Sequence, residues 1–152
     1  ENMFQFSLQT ALDVRLRQEK IKMKDLAEKV AIEQSIKNQI DGTKNRAFQA
    51  DISLNQKKQA GSFTIQELKM QSSFKARTKL ELADYYQKLE LAHQAVEEKQ
   101  NILIQASRAR KTLEILKEKE LKRFMEKIAQ LERKHMDEIA GNQFQRNRIK
   151  NH

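Results

Sequence analysis

No proline occurs anywhere in this chain, and its 152 residues include only three glycines: Gly42, Gly61 and Gly141. Chains built from many short strands draw on Gly and Pro for frequent turns. An all-β sandwich or barrel is therefore excluded, and repeated βα units would also need more breaks. What remains is an all-α fold with few, long helices. Hydrophobic residues make up 38% of the chain, against 34% charged and 6% aromatic, with no Trp. That supply is too small for a thick core. It suffices for a narrow seam between two helices.

The helices can be traced by their apolar spacing. Ser7 is placed to cap the first. Leu8, Leu12, Met23, Leu26 and Val30 then recur at three-and-four spacing, with Glu19 filling one step. The stripe slides to Ile32, Ile36 and Ile40, a spacing of four that drifts against a strict heptad. Phe48, Ile52 and Leu54 continue it loosely. The segment Asp41-Gly42-Thr43-Lys44 is a weak point, since a helical Gly costs about 1 kcal/mol relative to Ala. A continuous helix is nevertheless expected through it.

The clear break is Gln59-Ala60-Gly61-Ser62-Phe63-Thr64. Gly61 suits the left-handed residue that ends a helix, and Thr64-Ile65-Gln66-Glu67 has the capping-box pattern that starts one. From Ile65 to Ala140 nothing interrupts the pattern. Leu82, Tyr85, Leu89, Ala92, Val96, Leu103 and Ala106 step by three, four or seven. Leu113, Leu116, Phe124, Ile128, Leu131 and Ile139 follow after small slips. The expected architecture is a single antiparallel coiled-coil hairpin over 1–152. Helix 1 covers about 8–60, the turn 61–64, a longer helix 2 about 65–140, and a frayed basic tail 141–152.

Length fixes the pairing. At about 1.5 Å rise per residue, helix 1 spans about 80 Å and helix 2 about 114 Å. Folding them back about the turn sets Leu8 near Lys117. The end of helix 2, from Glu118 to Ala140, then overhangs. Its stripe of Leu121, Phe124, Ile128 and Leu131 finds no partner within the chain and is expected to seek one outside.

Signatures of chemistry are sparse. There is no Cys, hence no disulfide, thiolate metal site or Cys nucleophile. No phosphate-cradling glycine loop and no nucleophile elbow is present. Glu132, His135 and Glu138 share a helix face, but one such triplet on a Glu-rich chain reads as solvated surface. A two-helix hairpin offers little of the dry concave pocket that catalysis needs. The chain reads as a non-enzyme with no cofactor or metal. No apolar run approaches the ~20 residues of a membrane span, and none near Glu1 reads as a signal-peptide core.

The formal net charge is +9, which favours acidic partners. Most Lys and Arg residues are interleaved with acids, as on a coiled-coil exterior. The excess gathers at Arg108-Ala109-Arg110-Lys111 and from Arg146 to Lys150. No aromatics alternate with these clusters, so no stacking platform for nucleic acid is expected. A basic coiled coil that binds nucleic acid, or a scaffold that dimerises through the overhang, is the alternative reading.

Three stretches together resemble one family. They are Phe4-Gln5-Phe6-Ser7-Leu8-Gln9-Thr10-Ala11-Leu12-Asp13-Val14-Arg15, Leu113-Glu114-Ile115-Leu116-Lys117-Glu118-Lys119 and Lys134-His135-Met136-Asp137-Glu138-Ile139-Ala140. In order and spacing they are similar to the FliJ family, the stalk proteins of the flagellar type III export apparatus. The Gly61–Thr64 loop falls where that family turns its hairpin. The same stalk in a virulence-type secretion system is a close relative, although the last of the three stretches looks more like the flagellar branch.

The resemblance implies a cytoplasmic, non-catalytic stalk, peripheral to an inner-membrane complex. It would sit in the export ATPase hexamer (FliI-like), promote its assembly and activity, and reach the export gate protein (FlhA-like). Escort of empty export chaperones is also implied. The gate-contacting aromatic early in the family's second helix matches Phe74. The tip tyrosines of its first helix have only approximate counterparts in Ile40 and Phe48. Leu121, Phe124, Ile128 and Leu131, with Arg146 and Arg148, are the expected contacts to the ATPase ring.

Overall fold

The computed structural model describes residues 3–151. Two helices are present, α1 (Gln9–Gln59) and the longer α2 (Ile65–Lys150), and they pair antiparallel as a hairpin. The described residues form two compact units. A terminal unit joins residues 3–19 to 106–151, and a loop unit covers Lys20–Gln105.

The turn follows from local chemistry. Gly61 has φ +74°, a conformation open to Gly at no steric cost. Its N–H donates to the Lys58 carbonyl, and the Ser62 N–H donates to the Lys57 carbonyl, each at 3.3 Å. These two bonds are the Schellman pattern, which satisfies carbonyls left open at a helix end. Thr64 Oγ1 accepts from the Glu67 N–H at 3.2 Å, so half of the expected capping box is formed. The Glu67 carboxylate turns to Lys57 Nζ instead, at 3.5 Å, and ties the two helices beside the loop.

Cross-helix contacts set the register. In the terminal unit Lys117 reaches Gln9 and Arg110 reaches Glu19. In the loop unit His93 faces Glu33 and Lys75 faces Asp51. The expected pairing of Leu8 with Lys117 therefore lies within a residue or two of the observed one.

The seam is one side chain deep. Leu12 and Phe6 are buried in the terminal unit; Ile40, Leu54, Val96, Thr43 and Thr78 are buried in the loop unit. On α2 the expected stripe from Leu82 to Leu113 is buried or half-buried throughout. On α1 it is corrected. Leu8, Met23, Val30 and Ile32 remain 42 to 52% exposed. Glu19, Lys22, Lys29 and Glu33 share the half-buried positions instead. A helix with only one neighbour covers a narrow stripe, and long polar side chains shield its flanks with their stems.

Two further expectations are corrected. Ser7 does not cap α1; its hydroxyl donates to the Glu120 carboxylate at 3.2 Å. The basic segment after Ala140 is not a frayed tail but helix as far as Lys150. Gly141 weakens it by about 1 kcal/mol, whereas Gln and Arg around it are good helix formers. Arg148 and Lys150 in the last turn complement the negative end of the helix dipole. α1 passes through Gly42 without a break.

Two measurements check this fold. Seven residues back from Glu33 lies Leu26, and seven on from His93 lies Gln100, next to Lys99. Cysteines replacing Leu26 and Lys99 should crosslink within one chain; crosslinks between equal positions of two chains would instead indicate a parallel dimer. Gly61→Ala should cost about 1–2 kcal/mol in thermal unfolding, because an L-residue is strained at that φ.

Candidate functional site

The chain presents two candidate contact surfaces, one in each unit. In the terminal unit the start of α1 is clamped to α2 by polar side chains. Lys117 Nζ donates to Gln9 Oε1 at 2.8 Å. The Arg110 guanidinium pairs with Glu19 across the seam and with Glu114 on its own helix at 2.6 Å. The hydrogen bond that Arg110 donates to Glu19 is the main reason its pKa lies above its ordinary value, while partial burial pulls the other way. This half-buried arginine is thus a structural fastener, which removes it from the free basic cluster read at 108–111.

The stripe beyond the clamp is less bare than its sequence suggested. Residues 3–6 lie outside any helix, and within them Phe4 meets α2. Phe6 is buried, and the Phe4 ring packs on Phe124 with centroids 5.5 Å apart at 53°. Phe124 is therefore half-buried by its own chain, and Ile128 is half-buried too. Leu121 and Leu131 stay exposed, as do Arg146 and Arg148. From Ala129 to Asn151 every residue is exposed, including Glu132, His135 and Glu138. The segment carries Leu131, Met136, Ile139, Phe144 and Ile149 in open solvent. This surface combines apolar knobs with a basic end, and its helical form was missed because Gly141 reads as a stop.

In the loop unit an open groove of about 590 Å³ runs between the helices near the turn. Its apolar floor comes from Ala50, Leu54, Met70 and Phe74, and Lys57, Lys69, Arg77 and Glu67 stand around it. Phe74 is half-buried, Leu54 is buried and Met70 is 67% exposed. The other two expected tip residues separate. Ile40 is buried in the seam, at 4% exposure, and offers no surface to a partner. Phe48 is 61% exposed and does not line the groove. Met70 was not singled out in the sequence, although its i, i+4 relation to Phe74 puts both on one face of α2.

The family model described as "Flagellar FliJ protein" matches residues 4–148. No curated protein and no solved structure gives a significant match.

The ring contact at the chain start is directly testable. Phe4→Ala removes an aromatic pair of about 0.5–1.5 kcal/mol beyond its buried area. Thermal unfolding should register that loss, and Phe4→Leu should recover part of it. Equal stability of Phe4→Ala and the native chain would show that residues 3–6 do not hold the terminal unit together.

Proposed function

The chain belongs to the FliJ family, and on that premise we propose that it is the non-catalytic stalk of the flagellar type III export apparatus. A role associated with flagellar export follows from the family itself. The finer reading is that the terminal unit engages the hexameric export ATPase, promoting its assembly and activity, and the loop unit contacts the export gate. The stalk works in the cytoplasm, peripheral to the membrane complex, and also serves in escort of export chaperones. No helix of the described residues is long and apolar enough to cross a membrane.

The observation that carries this reading is the exposed helical segment 129–150. A helix that holds five large apolar side chains in water and ends on Arg146, Arg148 and Lys150 suits insertion between protein subunits. Its acid-free end favours an acidic lining by Coulomb complementarity. Leu121 and Leu131, with Phe124 and Ile128 beneath, extend the same contact. At the loop end, Phe74 and Met70 provide an aromatic and a flexible apolar side chain in a groove lined also by Lys57, Lys69, Arg77 and Glu67. Buried aromatics commonly dominate such contacts, and Met adapts to irregular surfaces. Phe48 supplies an exposed ring on α1.

Two experiments test the assignment. Deleting 129–152 should abolish stimulation of the cognate export ATPase while the rest of the chain stays helical by circular dichroism. Unchanged stimulation would remove that segment from the mechanism. Phe74→Ala should weaken binding to the gate's cytoplasmic domain by about 2 kcal/mol or more, with a smaller loss of thermal stability. A lowered melting temperature with unaltered gate affinity would reduce Phe74 to a seam residue.

A further inference from the structure

Within the loop unit α1 and α2 meet through an imidazole set between two carboxylates. His93 on α2 approaches Glu33 on α1 through Nδ1, 3.5 Å from Oε2. Its Nε2 lies 3.2 Å from Oε1 of Glu97, one turn along its own helix. The Glu33 side chain is only 14% exposed, and Lys37 Nζ holds its Oε1 at 2.9 Å. Its Oε2 is shielded from solvent and receives no hydrogen bond. Tyr86, Leu89 and Glu90 line the same hollow. None of these residues lines the groove near the turn.

A neutral imidazole has one N–H donor and one bare acceptor nitrogen. With a carboxylate at each nitrogen, one lone pair then faces another. The imidazolium donates from both nitrogens and supplies the donor that Glu33 Oε2 lacks. Glu90 is a third acid lining the hollow; Lys37 is the cation among its lining residues and is engaged on Glu33 Oε1. The carboxyl of Glu33 is held below its ordinary value, first by the Lys37 hydrogen bond and further by His93, against the opposing effect of burial. It therefore stays ionised where an imidazole takes up its proton.

We propose that His93 is a proton-operated fastener that tightens the pairing of α1 with α2 in the loop unit as pH falls through the range of histidine titration. The sign follows from linkage. The two donors that His93 offers to the facing carboxylates exist together only in the imidazolium. The Glu33 contribution is present while the carboxylate is charged and is lost only at lower pH. Coupling between the two thus requires the imidazolium and the carboxylate at once. Because His93 is half exposed, solvent screening keeps the effect small.

A double-mutant cycle in the full-length chain tests this without any partner. Native protein, His93→Gln, Glu33→Gln and the double variant are melted at about pH 5.5 and about pH 8, either side of ordinary histidine titration. The expected non-additivity is about 2 °C in melting temperature at the lower pH and vanishes at the higher. Non-additivity of equal size at both pH values, or none at the lower, overturns the proposal. Amide hydrogen exchange gives a second readout, corrected for intrinsic rates. Protection around Glu33 and His93 should rise on acidification in the native chain and not in His93→Gln. A rise shared by both would also overturn it.

Discussion

Each helix has a single neighbour to bury against, and the rest of the structure depends on that constraint. No large side chain of the described residues is fully enclosed. Apolar burial at about 25 cal/mol per Å² is therefore spread thinly along the seam. Under that condition local devices matter more than in a globular core. The left-handed Gly61 and the two hydrogen bonds behind it hold the turn. Arg110 with Glu19, and Lys117 with Gln9, fix the register where apolar contacts alone would tolerate slippage.

The same constraint accounts for the apolar surfaces left open. A two-helix seam cannot absorb every apolar residue of an 86-residue helix when its neighbour has 51. In the terminal unit the excess appears beyond Ile128 as an uncovered helix. Near the turn the apolar residues diverge around Phe74 and leave an open groove. Both are open surfaces rather than enclosed sites, and the family to which the chain belongs has a role associated with flagellar export.

Polar side chains in the seam have a second consequence. Thr43, Thr78, Glu19 and Glu33 occupy positions that a uniform coiled coil would give to Leu or Ile. Each must find a partner or remain unpaired. Thr43 Oγ1 accepts from Arg46, and Glu19 pairs with Arg110. Glu33 is satisfied on one oxygen only, which makes its neighbourhood responsive to the state of His93. Specific register is bought here with groups whose hydrogen bonding depends on conditions.

The sequence by itself determined the all-α class, the break at 61–64 and the stripe on α2, because these rest on local chemistry. Scarce Gly and absent Pro, a cap pattern and a three-and-four period all act within a few residues. The α1 face was less legible. Its apolar residues outnumber what one neighbour can cover, and only the packed partner decides whether Ile32 or Glu33 turns inward. Phe4 on Phe124, Met70 with Leu54 beside Phe74, and Glu33 against His93 join residues 16 to 120 positions apart in sequence. Their juxtaposition follows from the antiparallel register, a property of the pair of helices that neither carries alone.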